Sequence, residues 1–297
     1  MVLCSVGKAL GGTWCGIFSG LFLLANSFHL YLGRTQLVVV WSSLLTSMLL
    51  LVFVRLVQSR SIWKLLQLAV LNGFAFGFHA SVRTVVLWDL IAVLIFAVAA
   101  WKKRIWDGWE LAIATFALPT LTLIFSGPRL YYSPLSVVFH TKRLVSVPVS
   151  DGLDGGVLPS WSLLAMLIER YWSSLLVYCS NSLIGLSPYD EPVLGTTLAV
   201  LCAIGLLRAL KSGQAEAKGV LFFFLAIPFT NSALTETLNA SHRLAPLVPL
   251  GCVMAAYGFS WLQRYFQGRN RVRCWAQVLI QVALLVVLFL SLIHISE

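Results

Sequence analysis

Apolar runs of roughly 17–25 residues recur along nearly the whole sequence, and that is the length a helix needs to cross ~30 Å of hydrocarbon. TVVLWDLIAVLIFAVAAW, residues 84–101, is one of them and carries a single charge. Hydrophobic residues make up 59% of the 297 and charged residues 11%. The mean hydropathy is +0.88. A water-soluble fold has no interior able to take so much apolar surface. No stretch alternates apolar and polar residues as an outer-membrane strand does. The sequence therefore predicts an all-α, polytopic transmembrane bundle. Its spans fall near 10–32, 36–57, 63–80, 84–101, 109–126, 193–210, 218–234, 244–263 and 273–290, about nine helices. The first is not a cleaved signal peptide: Lys8 is its only early charge, no small-residue cleavage site follows, and the run continues into FHLYLG.

Basic residues orient such a bundle. With Lys8 on the cytoplasmic side, the same side holds Arg55, Arg60 and Lys64, then Lys102, Lys103 and Arg104, then Arg208, Lys211 and Lys218. Arg264, Arg269, Arg271 and Arg273 follow, so that fourteen of the 21 Lys and Arg lie in every second loop. The formal net charge of +10 is then a topogenic signal facing anionic lipid, not a nucleic-acid patch. Membrane lipid is the expected partner.

The same reading divides the chain into helices at 1–126, an external loop at 127–192 and helices again at 193–289. Within the loop, WSLLAMLIERYWSSLLVYCSNSL places Ser162, Glu169, Ser173 and Ser180 on one stripe and Trp161, Leu164, Ile168, Tyr171 and Leu175 on the other. A Trp- and Tyr-rich amphipathic helix over 161–183 suits the membrane interface, as a cap on the bundle or as one wall of a lipid entrance.

Soluble-enzyme chemistry is not signalled. The six cysteines form no CxxC pair and no metal-spaced set with histidine. Phosphate-loop, HExxH and GxSxG motifs are absent, and no cofactor or metal is implied.

Three histidine–arginine pairs stand out instead. His29 and Arg34 lie in NSFHLYLGRTQL, His79 and Arg83 in FHASVRTV, and His242 and Arg243 in NASHRLAPLVPLG. All three fall at external helix ends, where fixed positive charge works against the topology. Snorkelling toward headgroups is one account of each arginine. The other is a cavity for a lipid-linked phosphate, since the guanidinium fork matches phosphate oxygens and histidine adds a donor. Asp89 is the one carboxylate well inside an apolar run and must face a cavity or a partner, with Arg83 and the outer interface beside Trp88 as the two options. Asp190 and Glu191 in LSPYDEPVLG are adjacent external acids, able to act as base or metal ligand or simply to occupy the exposed turn set by Pro188 and Pro192.

These segments resemble a known family. ANSFHLYLGRTQL, LAVLNGFAFGFHASVRTVVL and LNASHRLAPLVPLGCVMAAYG look, in that order, like motifs of bacterial GT-C superfamily glycosyltransferases, nearest the dolichyl-phosphate-mannose–protein mannosyltransferase-like group. The resemblance runs to about residue 288. It implies an inverting transferase that moves a sugar from a polyprenyl-phosphate carrier to a lipid, glycan or protein hydroxyl on the external face. A loop carboxylate after the first transmembrane helix would serve as base, and basic residues would hold the carrier phosphate as it leaves. His29, Arg34, His79, Arg83, His242 and Arg243 fit that second role.

The sequence departs from the family pattern at the base, because no Asp or Glu precedes Asp89. The expectation is a chain that begins after the catalytic loop, keeps the carrier site and transfers nothing by itself, with Asp89, Asp190 and Glu191 as the remaining candidates for base. At the other end, LSLIHISE (290–297) resembles the translation of a sequencing-library adapter and is set outside the functional reading. A lipid-carrier flippase, or an O-antigen polymerase or ligase, would also place basic residues externally. Topology tests all of these. Cysteines at Arg34 and Arg104 should react with an impermeant thiol reagent from opposite sides of the membrane, and labelling from one side refutes the orientation.

Overall fold

The computed structural model describes residues 1–26, 29–30, 37–78, 80–126, 160–178, 193–233 and 241–267, with backbone alone for 37–39, 80, 160–163, 232–233, 241–242 and 267. Regular structure among the described residues is entirely helical. Among the described residues three helices are long and apolar enough to cross a membrane: Val40–Ser59, Ser81–Lys102 and Gly108–Phe125. The expectation of about nine spans is thus met only in part. The remaining described runs are shorter, interrupted, or interspersed with polar residues, and 273–290 lies outside the described residues.

The first expected span, 10–32, is broken. The chain forms α1 (Val2–Gly11) and α2 (Thr13–Leu24) instead, reversing at Gly12, whose φ of 87° is readily reached only without a Cβ. The two helices run antiparallel and touch through glycine. A Cβ on Gly7 would sit 2.7 Å from the Cys15 carbonyl oxygen, and one on Gly16 would sit 2.6 Å from that of Cys4. Hydropathy averages over such a reversal, so the glycine spacing was the only available signal.

Next come α3 (Leu37–Ser59), α4 (Ile62–Phe78) and α5 (Ala80–Lys102), with the turn between α3 and α4 so tight that Arg60 adopts φ 56°. The run after them is interrupted: α6 (Gly108–Ala112) passes through a π-helical turn, Ile113–Ala117, into α7 (Leu118–Phe125). Pro119, which lacks an N–H to bond back along the helix, follows directly. A capping box opens α6, with the Asp107 N–H donating to Glu110 Oε2 at 2.9 Å. Glycine again sets a close approach: a Cβ on Gly73 of α4 would lie 2.9 Å from the Thr122 carbonyl oxygen of α7.

Of the expected amphipathic helix at 161–183, α8 (Ser160–Leu176) is observed, ending earlier than expected. The reason is local. The N–H groups of Val193 and Leu194 donate to the carbonyls of Val177 and Tyr178, tying the end of α8 to the next segment. Leu164, Ile168, Trp172 and Leu176 point outward, Ile168 at 60% and Trp172 at 63% exposure, while Ser174 is buried. Tyr171 donates to the Leu225 carbonyl at 3.0 Å and Tyr178 stacks on Phe224.

The second half contains α9 (Gly195–Lys211), α10 (Ala215–Pro228) with a π-helical turn at Phe229–Ala233, α11 (Ser241–Leu244) and α12 (Leu247–Gln267). Every residue of α12 from Leu247 to Ser260 is buried. A helix buried all round is the axis of a bundle, and α1, α2, α3, α9 and α10 all pack on it. α9 runs parallel to it at backbone distance. A Cβ on Gly205 or Gly258 would overlap, respectively, the carbonyl oxygens of Met254 and Leu201. Gly258→Leu should therefore lower the melting free energy in detergent by about 1–3 kcal/mol or more through overpacking. Gly213→Leu, where a Cβ meets nothing within 4 Å, should not. Equal melting of the two variants contradicts this packing.

Candidate functional site

One end of the bundle gathers its polar side chains into a continuous network. The first turns of α3 contribute Ser42 and Ser43, both buried. Ser43 Oγ donates to the Ala245 carbonyl at 2.8 Å, joining α3 to the link between α11 and α12. Ser81 Oγ, in the first turn of α5, donates to Ser42 Oγ at 3.1 Å.

Asn231 holds the centre. It lies in the π-helical turn after Pro228, is buried, and uses its whole amide. Nδ2 donates to the Ser81 carbonyl at 3.1 Å and to the Arg243 carbonyl at 2.8 Å, while Oδ1 accepts from Thr84 Oγ1. Below it, Trp88 Nε1 donates to Thr230 Oγ1 at 3.0 Å. A π turn inserts an extra residue and spreads the local backbone, which is one way a helix presents polar groups inward.

Arg83 and Arg243 are both fastened to this network. Asn231 bonds directly to the carbonyl of Arg243 and to that of Ser81, two residues before Arg83. The Arg83 Nε–H donates to the Phe76 carbonyl at 3.1 Å, and its guanidinium carbon stands 6.0 Å from the Phe76 ring centroid. Both arginines are half-buried. Two of the six basic residues expected from the sequence thus come to the same few turns of helix.

His29 is attached separately. Its N–H donates to Asn26 Oδ1 at 2.7 Å, and Asn26 Nδ2 donates to the Val193 carbonyl at 2.7 Å. Val193 precedes α9 at the end where Leu194 packs on Gly251 in α12. His29 is half-buried, with Nδ1 shielded from solvent and unbonded. Arg34, His79, Asp190 and Glu191 lie outside the described residues, as does the side chain of His242.

Asp89 takes neither of the positions expected for it. It is fully buried, six residues along α5 from Arg83, and accepts a hydrogen bond from Asn72 of α4. Sequence reasoning missed Asn72, Ser81, Thr84 and Asn231. Asn231 was signalled by an amide placed three residues after a proline in the apolar run FFFLAIPFTNSAL. Among the described residues no group of three His, Cys, Asp or Glu is placed to hold a metal.

The arrangement brings the backbones of Arg83 and Arg243 to one buried, uncharged network at one end of an apolar bundle. Comparison with protein-family models, curated proteins and solved structures returned no match.

Asn231→Leu removes one donor from the Arg243 carbonyl and one from the Ser81 carbonyl, which keeps Thr84 Oγ1 at 3.0 Å, and a lost hydrogen bond in such a setting costs about 1–3 kcal/mol. A clear drop in thermal stability in detergent is expected, larger than that of Thr230→Val on the same turn. A melting curve indistinguishable from wild type contradicts the network.

Proposed function

We propose that this chain is the carrier-binding part of an integral-membrane glycosyltransferase of the GT-C kind that its sequence resembles, acting on a polyprenyl-phosphate-linked sugar. The observation that supports this reading is the attachment of Arg83 and Arg243 to one network through Asn231. Separate snorkelling arginines do not need a shared buried scaffold; a phosphate clamp does. Preorganised cations are most useful where negative charge develops, and in this reaction that is the departing carrier phosphate.

In the proposed reaction an acceptor hydroxyl attacks the anomeric carbon, the bond from that carbon to the phosphate oxygen breaks, and the configuration inverts. Arg83 and Arg243 hold the phosphate during departure, with His29, Arg34, His79 and His242 assigned to the same task. A carboxylate must accept the hydroxyl proton. Asp190 and Glu191 are this chain's candidates, since Asp89 is closed off from the outer end by burial. The network end faces the external side in this reading. Gln58 Nε2, bonded to the Ala9 carbonyl at 2.9 Å, lies with Lys8 and Arg60 at the opposite end and supports that orientation. The outward apolar stripe of α8 then contacts lipid beside the site.

A flippase for the same carrier is the second reading, favoured by the buried Asp89–Asn72 pair, because intramembrane acids mark ion-coupled carriers. A flippase moves carrier between leaflets of sealed vesicles; the transferase does not.

Carrier binding tests the main proposal with the chain as it stands. Short-chain polyprenyl phosphate should bind the detergent-solubilised protein, and the unphosphorylated alcohol should not. Arg243→Ala and Arg83→Ala should each weaken binding about 10- to 100-fold, the equivalent of one lost charge-assisted contact. Arg243→Lys should recover only part of that, since lysine keeps the charge but not the fork. Wild-type affinity in both alanine variants ends the hypothesis.

A further inference from the structure

The antiparallel pair α4 and α5 is cross-linked by two polar contacts. The outer one, Arg83 to the Phe76 carbonyl, belongs to the network already described. The inner one does not. Asn72 Nδ2 donates to Asp89 Oδ2 at 2.7 Å, between two side chains with no solvent exposure at all. Close approach of α7 at Gly73 helps to seal it.

Two atoms are left over. Asp89 Oδ1 and Asn72 Oδ1 are both buried and have no hydrogen-bond partner. Each is an acceptor, so an ionised pair would leave two electron-rich oxygens and a full negative charge in a site closed to water. Two oxygens are too few to satisfy a metal ion, and no metal-ligating group of three is formed among the described residues.

What the pair lacks is one proton. We infer that Asp89 is an intramembrane proton-binding site, a neutral carboxylic acid closing a two-bond ring in which Asp89 O–H donates to Asn72 Oδ1 while Asn72 N–H donates to Asp89 Oδ2. All four polar positions are then used, and no charge remains in the apolar region. Within the bundle the ring fastens α4 to α5. For the chemistry it removes Asp89 from the candidates for base, because an acid that already carries its proton and bonds with it cannot accept another. For a carrier reading it supplies the single proton that a coupled carrier would need. The inference stands apart from the carbohydrate proposal and does not depend on it.

Infrared spectroscopy of the protein in lipid nanodiscs, with aspartate ¹³C-labelled at the side-chain carboxyl, reads this directly. At neutral pH Asp107, Asp151, Asp154 and Asp190 lie outside the apolar runs, so the expected spectrum has one protonated-carboxyl C=O band that shifts with the label. It should vanish in Asp89→Asn, which keeps the ring by replacing O–H with N–H and should fold and melt like wild type. It should move to higher frequency in Asn72→Ala, where the acid loses its acceptor. A wild-type spectrum with no labelled protonated-carboxyl band overturns the inference, as does a band that survives Asp89→Asn or is unmoved by Asn72→Ala.

Discussion

The bundle depends on a helix that is surrounded. From Leu247 to Ser260, α12 exposes no face, so each neighbour must approach it closely. Bulk apolar attraction does not choose partners among helices in an apolar medium; close packing and interhelical hydrogen bonds do. α9 meets that requirement through Gly205 against Gly258, and a Leu194 side chain fills the space over Gly251. Phe18 and Phe22 of α2 pack edge-on against Phe259 on another side. With this axis fixed, the start of α12 sets the place of α11 and hence of Arg243.

Polar contacts then specify what packing leaves open. Ser43, Ser81, Thr84 and Asn231 are each satisfied by a partner on a different element, so their bonds fix the rotation and depth of α3, α5 and α10 relative to one another. Such contacts in low dielectric are expensive to leave unmade, which makes a fully satisfied network specific. The arginines stand at its edge, half-buried.

Class and position were legible in the sequence; the folding-back and the joining amides were not. Run length and composition gave an all-helical membrane chain, and the helix limits at Ala80–Lys102 and Gly195–Lys211 lie within a few residues of the expected 84–101 and 193–210. The reversal at Gly12 was hidden because hydropathy is blind to a turn inside an apolar run. Along α8, Leu164 and Ile168 of the expected apolar stripe are exposed, while Ser174, which the sequence placed on neither stripe, is buried. At the site, charge drew attention to Arg83 and Arg243, while the uncharged Asn72 and Asn231, whose amides do the joining, carried no comparable signal. An amide in an apolar run has to find partners, and that rule would have found both.

The π-helical turn at Phe229–Ala233 makes the register of α10 a matter of a single residue. An α-helix advances about 100° per residue, so one inserted position rotates everything beyond it by more than a quarter turn. Before the bulge Phe223 faces Phe53 of α3; within it Asn231 faces α5 and α11. Removing one residue between Phe229 and Ala233 would restore a regular helix and swing the amide away from both carbonyls it joins. In a set of related sequences, a one-residue gap at this point would then mark a chain whose outer end is wired differently, however well its apolar runs align.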